Sequence, residues 1–280
     1  MFGAVALFVP AVSEKKLAKA RNLEADSLYF DLEDSVAPAQ KEEARAVLRQ
    51  VLDSGAFQAA ALLVRINGFG TPQWNQDIEA LARHPALSAL LLPNADLEAV
   101  LALSRELDRL DSSLKILPLI ETARGLEEAQ EVALASARVA GLQFGGEDYT
   151  ASLGIKRTLA GEELGFARAR LANLAHAYGL EALDTPFTNL QEMEWLRKDC
   201  QRARAMGFTG KAVIHPSQIE VVRQFFRPDE AEIEEARRIL SAYARQRGDA
   251  AGVFTVDGAM IDAPIIERAR QVLGKTGLTE

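Results

Sequence analysis

Eight short apolar runs, separated by segments of helical periodicity, constrain the fold of this 280-residue chain most strongly. The runs occupy residues 5–10, 27–34, 61–67, 89–94, 115–121, 139–145, 181–186 and 210–216. Each is rich in Val, Ile, Leu or Phe and has the length of a buried strand. Helical patterns lie between the runs, for example at residues 38–52, 75–84, 96–107, 122–135 and 191–207. Strand followed by helix, eight times, predicts an α/β fold of the TIM (β/α)₈ barrel type.

The apolar character of these runs is almost continuous, which is typical of a parallel sheet covered on both faces. A doubly wound open sheet is the alternative arrangement of the same elements. The first run is not followed by a G-x-G-x-x-G sequence, so the pattern gives no support to a dinucleotide-binding fold.

The overall composition narrows the class of protein. A net charge of −8 argues against nucleic acid as the main partner, because phosphate binding needs a basic surface. The single cysteine, Cys200, rules out an internal disulfide and is interpreted as a structural residue in a charged helix. The N-terminus has no basic region typical of a signal peptide, and no apolar stretch reaches the ~18 residues of a membrane helix. We therefore expect a cytoplasmic protein without a membrane partner.

Polar side chains follow the apolar runs at the point where each run ends. They are Asp31, Glu33, Asp34, Arg65, Asn67, Asn94, Glu121, Glu147, Asp148, Asp184 and His215. In a closed barrel the carboxyl ends of all strands meet on one face, and barrel enzymes place their active sites there. The sequence therefore predicts an active site at this face of the barrel.

The number of acids in this set predicts a bound cation, because so many carboxylates on one face would repel each other. Oxygen ligands suit Mg²⁺ or Mn²⁺. The three histidines, His84, His176 and His215, are isolated and are interpreted as structural, with His215 forming a turn with Pro216.

Each acid also has a structural interpretation. Glu121 could precede a helix capped by Thr122, and Asp148 could itself be a helix cap. Asp31 and Asp34 could pair with nearby basic residues. Taken together on one barrel face, the acids favour the functional interpretation.

Seven motifs in a fixed order give the chain a family resemblance. They are LFVP, DLEDSVAPAQKEEAR, VRING, LPLIETARGL, FGGEDYTASLG, GFTGKAVIHPSQI and VDGAMIDAPIIERAR. The sequence resembles the citrate lyase beta subunit-like proteins of the HpcH/HpaI aldolase superfamily, from residue 7 to about residue 273. The resemblance implies a TIM barrel with carbon–carbon lyase activity.

The resemblance also implies roles for five residues. Glu121 and Asp148 are expected to bind Mg²⁺, and Glu121 also to bind the substrate. Arg65 is expected to be a catalytic residue that contacts the carboxylate of the keto-acid part of the substrate. Glu33 is expected to support the site through metal-bound water. Asp262 is expected to reach the active site of a neighbouring subunit and to act in proton transfer, which implies a homo-oligomer, a trimer or a hexamer.

Members of this family cleave or form a carbon–carbon bond in 3-hydroxyacyl-CoA thioesters of the citramalyl, malyl or citryl type. The implied partners are therefore a CoA thioester and a keto acid. Two alternatives remain open: the beta subunit of a citrate lyase complex acting on a carrier-protein thioester, and an aldolase acting on free hydroxy-keto acids. A non-enzymatic scaffold is disfavoured, because both metal-binding carboxylates are present.

The chain departs from the family pattern near its ligand. Many members begin R-S-x-L-F-V-P-G, whereas this chain has Ala4, Val5 and Ala11 in place of the Arg, the Ser and the Gly. Asn94 stands where Lys is common. We therefore expect fewer positive charges around the ligand than in the relatives, which bears on substrate identity more than on reaction class.

Two domains are predicted: a catalytic barrel at residues 1–225 and an extension at residues 226–280 that packs on a neighbouring subunit. Within the extension, residues 228–246 predict a helix, 252–261 a hairpin turning at Asp257-Gly258, and 262–273 a final helix. Asp262 occupies the N-cap position of that helix, so capping is the alternative to its catalytic role.

Overall fold

A computed structural model of the chain describes residues 2–55, 57–245 and 253–274. The chain divides into two compact units, Met1–Arg223 and Gln224–Glu280. The role of the second segment as an extension that packs on a neighbouring subunit stays a prediction.

The first unit contains a closed barrel of eight parallel strands in sequential order. The strands are β1 Val5–Pro10, β2 Ser27–Asp31, β3 Ala61–Arg65, β4 Ala89–Leu92, β5 Lys115–Ile120, β6 Gly141–Phe144, β7 Glu181–Asp184 and β8 Gly210–Val213. The TIM-barrel prediction is confirmed. Seven of the eight strands end one to three residues before the end of the predicted run.

Helices surround these strands in the first unit. They are α1 Glu14–Ala20, α2 Lys41–Asp53, α3 Gln73–Leu81, α4 Leu97–Arg109, α5 Ala123–Glu127, α6 Ala129–Leu134, α7 Gly146–Ser152, α8 Gly165–Ala177, α9 Met193–Ala205 and α10 Ile219–Phe226, the last of which reaches into the second unit. The single helix predicted at residues 122–135 is two short helices, with Glu128 between them. In the part of the chain that the structure describes, no helix combines the length and apolarity needed to cross a membrane.

Alternate residues of the strands fill the barrel interior, as the two-residue period of a strand requires. The interior cluster contains Phe2, Ala6, Tyr29, Ala61, Leu63, Ala89, Leu91, Leu117, Leu119 and Leu183. These side chains close the barrel below its carboxyl ends. The polar residues that end the strands are thereby left around a cavity at that face.

The second unit has its own small core. Helix α11 Glu230–Arg245, strands β9 Phe254–Val256 and β10 Ala259–Ile261, and helix α12 Ala263–Gly274 form it. The two strands are antiparallel and turn at Asp257 and Gly258, both with positive φ, as predicted. Residues 246 and 252, the last and first residues of the predicted helix and hairpin, lie outside the described residues.

Candidate active site

A cavity of about 420 Å³ lies at the carboxyl ends of the barrel strands. Its lining comprises Phe8, Pro10, Asp31, Asp34, Ser35, Arg65, Leu119, Glu121, Gln143, Phe144, Gly145, Gly146, Glu147, Asp148, Thr185, Pro186, Thr188 and Ile214. Of the five residues assigned roles from the sequence, Arg65, Glu121 and Asp148 line this cavity. This volume is large enough for a small organic ligand.

Glu121 follows β5 directly and is only 3% exposed. Its Oε1 accepts a hydrogen bond from the backbone N–H of Asn94, at 2.7 Å. Burial raises the pKa of Glu121 to about 8, opposed by that hydrogen bond and increased further by the negative charge of Asp148. No basic side chain forms an ion pair with Glu121 among residues 2–55, 57–245 and 253–274. A buried carboxylate of this kind is costly unless a cation binds to it.

Asp148 lies in the first turn of α7, directly after the loop that follows β6. The predicted alternative, that Asp148 caps this helix, is wrong, because the cap position is Gly145. A Cβ on Gly145 would come within 2.7 Å of Oε2 and 2.5 Å of Cβ of Glu121. Glycine is therefore required where the loop passes Glu121. Within the described chain, the Asp148 carboxylate has no hydrogen bond or ion pair.

Thr122 has the structural role that the sequence predicted. Its hydroxyl accepts a hydrogen bond from the N–H of Gly125 and caps α5. Glu121 stands one residue before that cap and points instead at the cavity. The cap and the cavity residue are therefore two adjacent residues: Thr122 caps the helix, and Glu121 lines the cavity.

Arg65 ends β3 and is surrounded by three acids. The register of β2 and β3 pairs it with Asp31, and its Nε and Nη2 each donate to one oxygen of that carboxylate at 2.8 Å. Nη1 lies 3.0 Å from Glu33 and 3.1 Å from Asp34. The guanidinium also stacks over the ring of Phe8, with its carbon 5.2 Å from the ring centre. Asp31 and Asp34 do pair with a basic residue, but that residue is not local in sequence, as the structural interpretation expected: it lies on the next strand, 34 residues from Asp31.

Glu33 lies beside Arg65. Burial raises its pKa to about 7, opposed by the charge of Arg65 and assisted by repulsion from Asp34 and Asp31. The behaviour of Asp31 is opposite: burial alone would raise its pKa, but the hydrogen bonds and charge of Arg65 hold it below the ordinary value. Glu33 is therefore the carboxyl of this group whose pKa lies near neutrality.

Asp184 does not belong to the acids facing the cavity, which corrects the sequence interpretation. It is fully buried and forms two hydrogen bonds to Arg168 of α8, each at 2.9 Å. Its register partner Lys211 donates to it and to Asp199 of α9, at 2.5 and 2.7 Å. Burial would raise the pKa of Asp199, but the charges of Lys211 and Arg168 hold it well below the ordinary value. These four residues form a buried charge network with two positive and two negative side chains, so the network is electrically neutral. Its members are Arg168, Asp184, Asp199 and Lys211.

The cavity therefore has fewer uncompensated acids than the sequence predicts. Arg65 compensates Asp31, and the buried charge network compensates Asp184. Glu147 is held by Arg157 at 3.1 Å and by Thr188 at 3.0 Å. The acids that line the cavity without a cationic partner, within the described residues, are Glu121 and Asp148. These are the two that the family resemblance assigns to the metal.

The three histidines and the cysteine have structural surroundings. His84 contacts Asp53, and His176 contacts the carbonyl of Gly207. Nδ1 of His215 accepts from the N–H of Ser217 and begins a short 3-10 turn, as predicted for that motif. Burial raises the pKa of Cys200 to about 12, so its thiol is not a nucleophile at neutral pH.

Asp262 lies in the second unit and caps α12. Its Oδ1 accepts a hydrogen bond from the N–H of Ile265 at 3.3 Å. This geometry matches the capping interpretation. Its role in the active site of a neighbouring subunit stays a prediction.

Thr185 and Gln143 line the cavity but were not singled out from the sequence. Both are essentially inaccessible to solvent. Thr185 directly follows Asp184 at the end of an apolar run, and this position was the one signal available. Gln143 lies inside an apolar run, where a buried amide can be recognised only from its partners in space.

The donor set fits a hard divalent cation. No group of three or more His, Cys, Asp or Glu side chains has metal-binding geometry in the described ranges. Mg²⁺ does not need one, because it usually keeps several waters and binds through one or two carboxylates. Glu121 and Asp148 offer carboxylate oxygens at one cavity, and the buried Glu121 forms no ion pair with a basic side chain of the described residues.

The model of the HpcH/HpaI aldolase/citrate lyase family matches residues 4–216. This chain belongs to that family. A second family model, for carbon–carbon bond lyases of the TIM-barrel fold, matches residues 166–278. The predicted membership, and with it the prediction of an enzyme of the carbon–carbon lyase type, is confirmed.

Relatives in the family resemble the chain over nearly its whole length. The citrate lyase subunit beta of Leuconostoc mesenteroides is 34% identical over 275 residues, covering 95% of this chain and 91% of the relative. The (3S)-malyl-CoA thioesterase of Cereibacter sphaeroides is 37% identical over 275 residues, covering 96% and 93%. The crystal structure of CitE from Mycobacterium tuberculosis in complex with magnesium, acetoacetate and coenzyme A has a TM-score of 0.81 and 34% identity, covering 99% and 98%.

Proposed function

We propose that this chain is an Mg²⁺-dependent lyase that cleaves a 3-hydroxyacyl-CoA thioester into an acyl-CoA and a keto acid. The substrate is of the citramalyl-, malyl- or citryl-CoA type. One observation carries the proposal: Glu121 and Asp148 line one cavity with Arg65, and neither acid has a cationic partner among the described residues. The magnesium, acetoacetate and coenzyme A in the related CitE structure support the same ligand classes for this chain.

Glu121 and Asp148 hold the cation in this account. A bound Mg²⁺ supplies Lewis-acid polarisation of the substrate's hydroxyl and carboxylate oxygens. Burial of Glu121 serves this role, because its carboxylate gains more from a cation than an exposed carboxylate would. The N–H of Asn94 fixes the orientation of the same side chain.

Arg65 binds the carboxylate of the keto-acid part. Its contacts with Asp31 hold the guanidinium plane, with Nε and Nη2 both engaged. Nη1 is shared between Glu33 and the largely exposed Asp34. A substrate carboxylate would displace the exposed partner Asp34 at Nη1, so Arg65 can bind substrate without losing its contact with Asp31.

Cleavage of the carbon–carbon bond needs a group that accepts the hydroxyl proton and a group that protonates the enolate carbon. Glu33 supports the site and suits proton exchange, since its pKa is about 7. Asp262 acts in proton transfer from a neighbouring subunit. Because Asp262 would act in a neighbouring subunit, the functional form is a homo-oligomer, and we propose a trimer or a hexamer. We also propose that the enzyme is cytoplasmic.

Two other activities have specific support. Identity to a (3S)-malyl-CoA thioesterase favours hydrolysis of the thioester as an alternative to carbon–carbon cleavage. Identity to citrate lyase beta subunits favours a carrier-protein thioester as the substrate. The three activities differ in the bond that breaks or in the group that carries the acyl chain.

One assay distinguishes these activities. Malyl-CoA, citramalyl-CoA, citryl-CoA and a citryl carrier-protein thioester are each incubated with the enzyme and Mg²⁺, and both 2-oxo acid and free thiol are measured. A lyase on CoA thioesters releases 2-oxo acid without free thiol. A thioesterase releases free thiol without 2-oxo acid, and activity on the carrier thioester alone identifies the subunit of a complex. Either of the last two results would contradict the proposed function.

A further inference from the structure

Thr185 joins the β6 and β7 ends of the cavity. It follows β7 directly, is 1% exposed, and lines the cavity. Its Oγ1 accepts a hydrogen bond from the N–H of Gly146 at 2.8 Å. Gly146 is the first residue of α7, two residues before Asp148. The hydroxyl of Thr185 is therefore a direct contact between β7 and the segment that carries Asp148.

The loop between β6 and α7 has little room to move. A Cβ on Gly146 would lie 3.1 Å from Cγ2 and 3.2 Å from Oγ1 of Thr185, which is a tight contact. One residue earlier, Gly145 passes Glu121 so closely that a Cβ would clash. The loop is thus packed between Glu121 on one side and Thr185 on the other. The position of Asp148 relative to Glu121 depends on both contacts.

The backbone around Thr185 is itself held on both sides. The carbonyl before Thr185, that of Asp184, accepts from Nε2 of Gln143 at 2.9 Å. The carbonyl of Thr185 accepts from Nζ of Lys211 at 2.6 Å. Lys211 also donates to Asp184 and Asp199, so its ammonium group contacts three oxygens at once. The buried charge network thereby determines where the Thr185 hydroxyl lies.

We propose that Thr185 is a positioning residue for the cation site: through Gly146 it places Asp148 opposite Glu121, and the buried charge network places Thr185. This inference rests on the proposed function, because it takes Asp148 as a ligand of the divalent cation. Thr185 acts through the loop and is not itself a ligand. Partners that orient metal ligands in this way typically change metal affinity 10–100-fold when they are lost.

The test measures metal binding directly. Mn²⁺ and Mg²⁺ are titrated into the metal-free full chain by calorimetry, with Thr185→Val and Thr185→Ser compared with the parent. Val has the shape of Thr without the hydroxyl, so we expect a 10–100-fold weaker affinity. Ser keeps the hydroxyl, so we expect the metal affinity of Thr185→Ser to stay within about threefold of the parent. This change is much smaller than the 10–100-fold loss expected for Thr185→Val.

A matched control separates positioning from general stability. Thr209→Val removes a hydroxyl at the other end of β7, where Oγ1 of Thr209 donates to the carbonyl of Ala182 at 2.9 Å and accepts from its N–H at 3.2 Å. Each lost hydrogen bond should lower the metal-free melting temperature by about 2–4 °C, so Thr209→Val, which loses two, should be destabilised at least as much as Thr185→Val, which loses one. Only Thr185→Val should lose metal affinity.

Asp148→Asn, titrated in parallel, distinguishes failure of the inference from failure of the proposed function. If Asp148→Asn binds metal as tightly as the parent, the proposed metal site is wrong and the inference falls with it. If Asp148→Asn is weakened while Thr185→Val binds like the parent, only the inference is overturned. Equal losses in Thr185→Val and Thr209→Val, or in Thr185→Val and Thr185→Ser, would also overturn it.

Discussion

The backbone N–H of Asn94 donates a hydrogen bond to Oε1 of Glu121, with 2.7 Å between the two atoms. Asn94 adopts φ of 49°, in the left-handed region. Asn and Gly enter this region more readily than other residues, and β-branched residues are the least suited to it. The conformation of Asn94 therefore supports the orientation of the proposed metal ligand.

Replacing Asn94 tests this relationship. Asn94→Gly should keep stability and Mg²⁺ affinity close to the parent, because glycine adopts positive φ without strain. Asn94→Val should cost about 1–2 kcal/mol of stability and weaken Mg²⁺ binding. Thermal denaturation and calorimetric titration of the two variants provide the measurement. Equal metal affinity in both variants would show that the backbone conformation does not support Glu121.

Glu121→Gln should abolish most activity and yet stabilise the metal-free protein. The pKa of Glu121 is about 8 in the folded chain, above the ordinary carboxyl value, so ionisation opposes folding as the pH rises from about 4.5 to 8. The amide has no charge to bury, so the variant's advantage should grow across this range, to the order of a few kcal/mol above pH 8.

The measurement is the melting temperature of both proteins at pH 5, 7 and 8.5, without metal and with Mg²⁺. Excess Mg²⁺ should raise the melting temperature of the parent and leave Glu121→Gln unchanged. If the difference in melting temperature between the two metal-free proteins does not change with pH, the pKa of Glu121 is not raised by burial.

Arg65→Lys should weaken keto-acid binding by at least ~1.5–3 kcal/mol, because a Lys ammonium cannot keep the two hydrogen bonds to Asp31 and also present a donor to the substrate where Nη1 lies. The structure adds a stability cost, since Arg65 also makes two hydrogen bonds to Asp31. The kinetic constants and the melting temperature are measured together.

Arg45→Lys is the matched control for this substitution. Arg45 donates to the buried Asp77 at 2.9 Å and to Gln76, and it does not line the cavity. We expect both variants to lose stability and only Arg65→Lys to lose keto-acid binding. If Arg65→Lys loses stability while its kinetic constants stay unchanged, Arg65 has a structural role and does not bind the substrate.

Asp262→Asn separates capping from catalysis, because Asn caps a helix about as well as Asp but cannot exchange a proton. We expect a large fall in turnover with an unchanged melting temperature. Asp96→Asn, at the N-cap of α4, is the control and should change neither quantity. Mixing Asp262→Asn with Arg65→Ala should restore activity in hybrid oligomers. A monomer, or hybrids without activity, would leave Asp262 as a cap.

The barrel could be predicted because its signals are local. Each strand is an apolar run of four to six residues, and the turn at Asp257-Gly258 has its own sequence signature. Local signals also identified Thr122 as a cap. The two unpaired acids, Glu121 and Asp148, were predicted from the same strand ends together with the family resemblance.

The pairing of charges could not be predicted, because the partners are distant in sequence. Asp31 and Arg65 are 34 residues apart, and Asp184 and Lys211 are 27 apart; both pairs meet through the register of neighbouring strands. Without that register, Asp184 looked like another acid of the site. The proposed role of Thr185 could not be predicted for the same reason, since it depends on contacts with Gly146 and Lys211, which are distant in sequence.

If Glu121 and Asp148 hold the catalytic cation, carbon–carbon cleavage must depend on Mg²⁺ and on the Glu121 carboxylate. The enzyme is freed of metal with a chelator, and release of 2-oxo acid from the best CoA thioester is measured as Mg²⁺ is added back, in the parent and in Glu121→Gln. We predict no release without metal, full recovery in the parent on adding Mg²⁺, and a loss of several orders of magnitude in the variant at every Mg²⁺ concentration. Cleavage that persists in the chelated parent, or full activity in Glu121→Gln, would contradict the account.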